Sequence, residues 1–289
     1  MLYQLTIENC PRDLLEDITD LLEDRGALSI TLTDKNDEPI LEPEIGTTPV
    51  WRENIIQALF DNKGYAESQL VDLQAEFPWL TGTIEELAEQ DWQRASMDLF
   101  QPQQFGKNLW VCPSWITPPN PEAVNVILDP GLAFGTGAHP TTSLCLHWLA
   151  RATLDNLKVV DYGSGSGILA ITALKLGAAC VQAIDLDAQA LQATQSNAAI
   201  NQIPPAQLQI GYPNTIQSNN DLLIANILLG PLQSLKNEFK RVLTPGGTLV
   251  VSGLLSEQIE SLITHYTPEF TRQETQIFDS WALLCFKLV

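Results

Sequence analysis

The strongest chemical signal in the chain is a short strand that empties into glycines. Val159-Val160-Asp161-Tyr162 runs into Gly163-Ser164-Gly165-Ser166-Gly167, and then into the apolar helical run Ile168 to Leu174. Glycine lets a backbone turn sharply and approach a ligand, and a helix starting behind such a loop offers free N–H groups and a positive dipole end. The arrangement suits an anionic group such as a carboxylate. Three spaced glycines also serve a plain strand-to-helix turn, so the loop alone is weak evidence. Asp185 strengthens it: it ends the next apolar run, Val181 to Ile184, about 20 residues beyond the loop, where an acid is placed to bind ribose hydroxyls. Asp187 is the better cap for a helix over Ala188 to Ala199, which leaves Asp185 for the ligand. The nicotinamide form of such a site needs glycine or alanine where this chain has Ile168, and that weakens a dehydrogenase reading. No Lys-Ser or Lys-Thr follows a glycine run, so phosphate transfer is a poor fit.

These residues need a scaffold, and the surrounding pattern supplies one. Val159 to Tyr162, Cys180 to Ile184, Gln207 to Ile210, Leu222 to Ala225 and Thr248 to Ser252 are apolar runs separated by helical segments. Such alternation predicts an α/β, doubly wound and mostly parallel sheet covered on both faces. After a helix starting near Ser256, Phe270 to Ile277 and Trp281 to Leu288 are β-rich stretches joined by Asp279-Ser280, an antiparallel hairpin that brings the sheet to seven strands. The first third reads differently. A strand at Leu2 to Ile7, a helix carrying Leu14, Leu15, Ile18, Leu21 and Leu22 behind Pro11, and a strand alternating over Leu28 to Thr33 are followed by a second round. That round has a strand at Glu53 to Phe60, a helix with Leu70, Leu73 and Phe77, and a strand near Thr83 to Leu87, so the sum is a small α+β domain of ferredoxin-like type.

A length of 289 residues suggests two domains. The net charge of −20 argues against a surface that binds nucleic acid by neutralising phosphates, and suits a basic partner. The acidity is uneven: residues 1–95 hold 21 acidic and 6 basic side chains, the remainder 14 and 9. Pro102, Pro113, Pro118, Pro119 and Pro121 read as a semi-rigid connection. The expected division is an acidic domain over 1–95, a proline-rich linker over 96–125 and a ligand-binding domain over 126–289, with the boundary near Asp91 to Phe100. Five scattered cysteines without C-x-x-C indicate neither a disulfide framework nor a zinc cage, and His139, His147 and His265 lack metal-ligand spacing, so no metal is expected. With acids at the N-terminus and no apolar run of about 18 residues, a cytoplasmic protein without membrane association is expected.

Two further segments narrow the class. Asp129-Pro-Gly-Leu-Ala-Phe-Gly-Thr-Gly-Ala-His-Pro-Thr-Thr142 precedes the glycine loop, and Leu222-Leu-Ile-Ala-Asn-Ile-Leu228 ends the fourth strand of the sheet. The G-x-G-x-G spacing is that of doubly wound S-adenosylmethionine-dependent methyltransferases, and together these motifs resemble the PrmA family of bacterial methyltransferases. The resemblance covers most of the chain, strongest from Trp110 to Gly247. It implies S-adenosylmethionine as cofactor and Thr142, Gly163, Asp185 and Asn226 as cofactor contacts or active-site residues, with Gly165 and Gly167 completing the loop. Thr142 would lie in the first turn of a helix beginning Thr141-Thr142-Ser143, whose N–H groups would face the cofactor, although either threonine also serves as a plain cap. Phe134 is a candidate to face the sulfonium through a cation–π contact. His139 is assigned no chemical role. Asn226 is the candidate for chemistry: its side-chain oxygen and nearby backbone carbonyls accept hydrogen bonds from an amine and aim its lone pair. Asn226 is followed by Ile227-Leu228 and not by Pro-Pro and an aromatic, which disfavours a flat stacked base as substrate.

By resemblance the substrate is the basic protein eleven of the large ribosomal subunit, methylated on lysine side chains and on its N-terminal α-amine; a monomer is expected. The acidic first third would hold that protein while the linker lets the catalytic domain reach several nitrogens. Other readings stay open: another basic protein as substrate, or a cofactor-binding, ribosome-associated module without turnover. An RNA substrate disagrees with the charge. No acid for an adenine edge stands after the third strand, where the chain has Gly211-Tyr212-Pro213-Asn214.

Overall fold

A computed structural model describes residues 1–36, 40, 49–87, 100–129 and 137–289. The contacts of the chain divide it into two compact units, Met1–Met97 and Asp98–Val289. The expected boundary near Asp91 to Phe100 lies, except for Phe100, outside the described residues.

The first unit runs β1 (Leu2–Pro11), α1 (Arg12–Asp24), β2 (Ser29–Asp34), β3 (Glu53–Phe60), α2 (Lys63–Glu76) and β4 (Thr81–Leu87). Its antiparallel sheet has the order β2-β3-β1-β4, the split β-α-β arrangement read from the sequence. Pro11, with φ −65°, opens α1, and Gly26, with φ +88°, provides the left-handed turn that ends it. Asn62 caps α2 by accepting a hydrogen bond from the Tyr65 N–H at 3.2 Å. Leu5 and Ile7 pair with Ala58 and Ile56, so one sheet face turns inward against Leu15, Ile18 and Leu22 of α1 and Ala66 and Leu73 of α2.

The second unit begins with a three-stranded sheet, β5 (Gln103–Phe105), β6 (Leu109–Cys112) and β7 (Val124–Ile127). The stretch expected to be a linker thus carries strands from residue 103 onward. The prolines do not prevent this: Pro102 precedes β5, and Pro113, Pro118, Pro119 and Pro121 lie between β6 and β7, where a missing N–H costs no ladder bond. Asn201 clasps β7, accepting from the Ile127 N–H at 2.8 Å and donating to the Ile127 carbonyl at 2.6 Å.

The elements that follow are α3 (Pro140–Leu149), β8 (Lys158–Tyr162), α4 (Ile168–Lys175), β9 (Cys180–Ile184), α5 (Ala188–Ile200), β10 (Leu208–Gly211) and β11 (Asn220–Asn226). Then come α6 (Leu229–Ser234), α7 (Lys236–Val242), β12 (Leu243–Leu255), α8 (Ile259–Tyr266), β13 (Phe270–Phe278) and β14 (Trp281–Leu288). The seven-stranded sheet has the order β10-β9-β8-β11-β12-β14-β13, parallel from β10 to β12, with β14 antiparallel to both its neighbours. This is the doubly wound sheet with a terminal hairpin expected from the sequence. Its strands read as continuous apolar runs because both faces are covered. Phe239, Tyr266, Phe270 and Phe286 lie buried in one core cluster, the last three with their rings in mutual contact, and the buried Tyr266 hydroxyl donates to the Leu232 carbonyl at 2.8 Å.

Candidate functional site

Strand register assembles the site. Tyr162 of β8 pairs with Ile184 of β9 on one side and with Ala225 of β11 on the other. Gly163, Asp185 and Asn226 are therefore the next residues on three adjacent strands, at spacings set by a sheet's roughly 4.8 Å strand separation. Ligands of open α/β sheets bind at these carboxyl ends.

The glycine loop is built for close approach. Gly163, Gly165 and Gly167 have φ of +79°, +53° and +79°, in the region that favours glycine. A Cβ on Gly163 would lie 2.5 Å from Ile227 Cγ2, and one on Gly167 would lie 2.8 Å from Thr194 Cγ2. The N–H groups of Gly163 and Ser164 both donate to the Ile184 carbonyl, at 2.7 and 3.0 Å. From α5, Thr194 Oγ1 donates to the Gly165 carbonyl at 3.1 Å and Asn197 Nδ2 to the Ser166 carbonyl at 2.8 Å. The loop is thus held from β9 and from α5 before any ligand arrives.

Asp185 closes the other side. Its Oδ2 accepts from the Gly165 N–H at 2.9 Å and its Oδ1 from the Asp187 N–H at 3.0 Å, so one carboxylate ties the loop to the end of β9. Its own N–H donates to the Gly211 carbonyl at 3.2 Å, drawing in the end of β10. Each carboxylate oxygen retains acceptor capacity for a hydroxyl. Asp187 caps α5, accepting from the Gln189 N–H at 2.9 Å, the division of labour expected from the sequence.

Asp161 was missed in the sequence reading. It is buried in β8, where Oδ2 accepts from the Ala170 N–H at 2.9 Å while Oδ1 has no hydrogen-bond partner among the described residues. Burial pushes its carboxyl up to about 7, the Ala170 hydrogen bond pulls against that, and the nearby negative charge of Asp185 adds to it. The available signal was an acid inside an otherwise apolar strand leading into the loop.

Asn226 lies half-buried at the end of β11, and its Nδ2 donates to Thr142 Oγ1 at 3.2 Å. Among the described residues its Oδ1 accepts no hydrogen bond. Thr142 is fully buried in the first turn of α3, but neither threonine caps that helix. His139 does, with Nδ1 3.3 Å from the Thr141 N–H and 2.8 Å from Thr141 Oγ1. The His139 ring packs edge-on against Trp281, with centroids 5.0 Å apart, and burial lowers its pKa. His147 packs against Phe105, and His265 Nε2 lies 2.9 Å from the Gln233 carbonyl, so the three histidines serve separate places. Phe134 lies outside the described residues. Where an adenine-edge acid is absent, Pro213–Thr215 form a short 3-10 turn and Tyr212 is exposed.

Comparison with known proteins agrees with this architecture. The family model described as Ribosomal protein L11 methyltransferase (PrmA) matches residues 2–288. The chain is 56% identical over 289 residues to the Ribosomal protein L11 methyltransferase of Legionella pneumophila (strain Philadelphia 1), covering 99% of both chains. It is 47% identical over 276 residues to the protein of that name from Nitrosococcus oceani, covering 93% of this chain and 94% of the other. Among solved structures, that of ribosomal protein L11 methylase from Lactobacillus delbrueckii subsp. bulgaricus is similar with a TM-score of 0.59 at 30% identity, over 65% of this chain and 99% of that one.

Proposed function

Because the chain belongs to the ribosomal protein L11 methyltransferase (PrmA) family, we propose that it transfers methyl groups from S-adenosylmethionine to amino groups of ribosomal protein L11. The acceptors are lysine side chains and the N-terminal α-amine, and the protein acts as a cytoplasmic monomer. The observation that carries this reading is the alignment of Gly163, Asp185 and Asn226 at the carboxyl ends of three neighbouring strands.

The residues fit the cofactor's parts. The loop of Gly163, Gly165 and Gly167 turns through left-handed backbone at the carboxyl end of β8, Asp185 retains acceptor capacity for ribose hydroxyls, and Asp161 Oδ1 is a buried acceptor suited to a cationic group. Thr142 lies at the same end of the sheet, and Phe134 remains a candidate for the sulfonium. When bound, S-adenosylmethionine supplies an electrophilic methyl group.

The protein's part is to orient the acceptor. Thr142 occupies the Asn226 NH2 group, which turns the amide oxygen into the acceptor available to an amine N–H. Holding an amine by its N–H groups aims its lone pair, and such positioning is worth orders of magnitude in rate. Asn226 does not titrate, so it orients the amine without taking its proton, and the amine must arrive neutral to attack. At pH 7 an α-amine with a pKa near 7.7–8.0 meets that condition far more often than a lysine with a pKa near 10.4.

The acidic first unit is the recognition surface for the basic substrate, its 21 acids against 6 bases in residues 1–95 favouring association through long-range attraction. Mass spectrometry of L11 incubated with S-adenosylmethionine and either this protein or its Asn226→Ala variant tests the reading. Mass gains in methylene steps are expected with the wild type and at least about 100-fold slower with the variant. Absence of gain with the wild type while cofactor still binds would refute the substrate assignment.

A further inference from the structure

Ile227 follows Asn226 and is gripped from three directions. Its N–H donates to the Ser252 carbonyl at 3.1 Å. Its main chain lies against Gly253, where an added Cβ would be 2.5 Å from the Ile227 carbonyl oxygen and 2.9 Å from its nitrogen. Gly253 has φ +88°, and the β12–β14 register shifts between Ser252 and Leu254 at that point, so β12 gives way locally to admit the chain leaving β11. Ile227 is partly buried, and its Cγ2 occupies the space that a Cβ on Gly163 would take, at 2.5 Å. One branched side chain therefore touches the first glycine of the cofactor loop while its backbone is pinned beside the acceptor residue.

We propose that Ile227 is a positioning residue that transmits the position of the glycine loop to Asn226. Packed contacts pass displacement on, and although Ile227 is only partly buried, its main chain rests against Gly253, which limits how far it yields when Gly163 presses on it. A loop drawn inward or pushed outward at Gly163 moves Ile227, and the neighbouring Asn226 amide moves with it. The acceptor site is thereby correctly aimed only when the loop is in its ligand-ready position. This inference rests on the reading of Asn226 as the residue that orients the acceptor amine.

The test uses the full chain and two substitutions that differ in one respect. Ile227→Val keeps a branched methyl against Gly163, whereas Ile227→Ala removes it. In the ligand-free protein the side-chain amide resonances of Asn226, followed by NMR, should stay in place in Ile227→Val and move in Ile227→Ala. Gly163→Ala strains a left-handed backbone position as well as meeting Ile227 Cγ2, so it should shift those resonances in both backgrounds, and clearly more when Ile227 is present than in the Ile227→Ala background. In turnover with L11, Ile227→Ala should lower kcat about tenfold, with cofactor affinity and the KM for L11 changed less than about twofold, and Ile227→Val should restore kcat. Equal amide shifts from Gly163→Ala in both backgrounds, or a loss of cofactor affinity with kcat unchanged, would overturn the inference. The resonances need no methyl acceptor, so a wild type inactive on L11 would count against the proposed substrate while this coupling is still read directly.

Discussion

Replacing Asp161 by asparagine should stabilise the second unit increasingly as pH rises. Asp161 is 1% exposed, with one oxygen bonded to the Ala170 N–H and the other unpartnered among the described residues. Burial lifts its pKa from 3.8 to about 7. Between those values the folded protein keeps a proton that the unfolded chain has released, so stability falls as pH climbs from about 4 to about 7. At 1.36 kcal/mol per unit, a shift of about three units amounts to about 4 kcal/mol above the folded pKa, of which about 2.5 kcal/mol develops between pH 5 and pH 8. Asparagine does not titrate and can still accept from the Ala170 N–H. The stability difference between Asp161→Asn and wild type should therefore grow in the variant's favour by about 2.5 kcal/mol from pH 5 to pH 8. The assay is guanidinium unfolding of the cofactor-free chain at both pH values, with pulsed hydrogen exchange in peptides from β8 and α4 reporting on this unit separately. A difference that is the same at both pH values would show that Asp161 is ionised in the folded protein and would refute the reasoning.

Other outcomes follow from the same geometry. Asp185→Asn should weaken cofactor binding by about tenfold, measured by calorimetry, because hydrogen bonds to a charged group are worth about 1.5–3 kcal/mol and a neutral amide keeps part of that. Methylation of the α-amine should level off near pH 8 while lysine methylation goes on rising towards pH 10, since only neutral amine reacts; site-resolved mass spectrometry across that range checks it, and parallel profiles would contradict it. Association with L11 should weaken steeply with added salt if the acidic unit steers the encounter, and a salt-independent on-rate would leave its charge as mere solubility.

Much of this architecture was legible in the sequence because it is encoded locally. The alternation of Leu28 to Thr33 and the apolar run Val159 to Tyr162 carry their own periodicity, and Asp187 announces its cap within three residues. The strands between Gln103 and Ile127 were hidden by five prolines, one before β5 and four between β6 and β7, which mark breaks and say nothing of the short pairings around them. The capping of α3 by His139 was missed because threonine is the commoner cap, and here Thr142 is turned towards Asn226, 84 residues away. The roles of Ile227 and Gly253 were illegible for one reason. Each depends on a neighbour brought in by parallel pairing, and no local pattern tells how near another strand's backbone will come.

The position of β14 gives the sheet an awkward order of construction. Trp281–Leu288, which follows β13 in the chain, sits inside the sheet, with β12 on one side and β13 on the other. As the chain leaves the ribosome, β13 has no partner waiting: β12 is beside the empty place, one strand's width away. Only when β14 threads into that gap do both edges close, so the nascent enzyme carries two open, pairing-competent edges until β14 has emerged. A truncation removing β14 would split the sheet instead of shortening it.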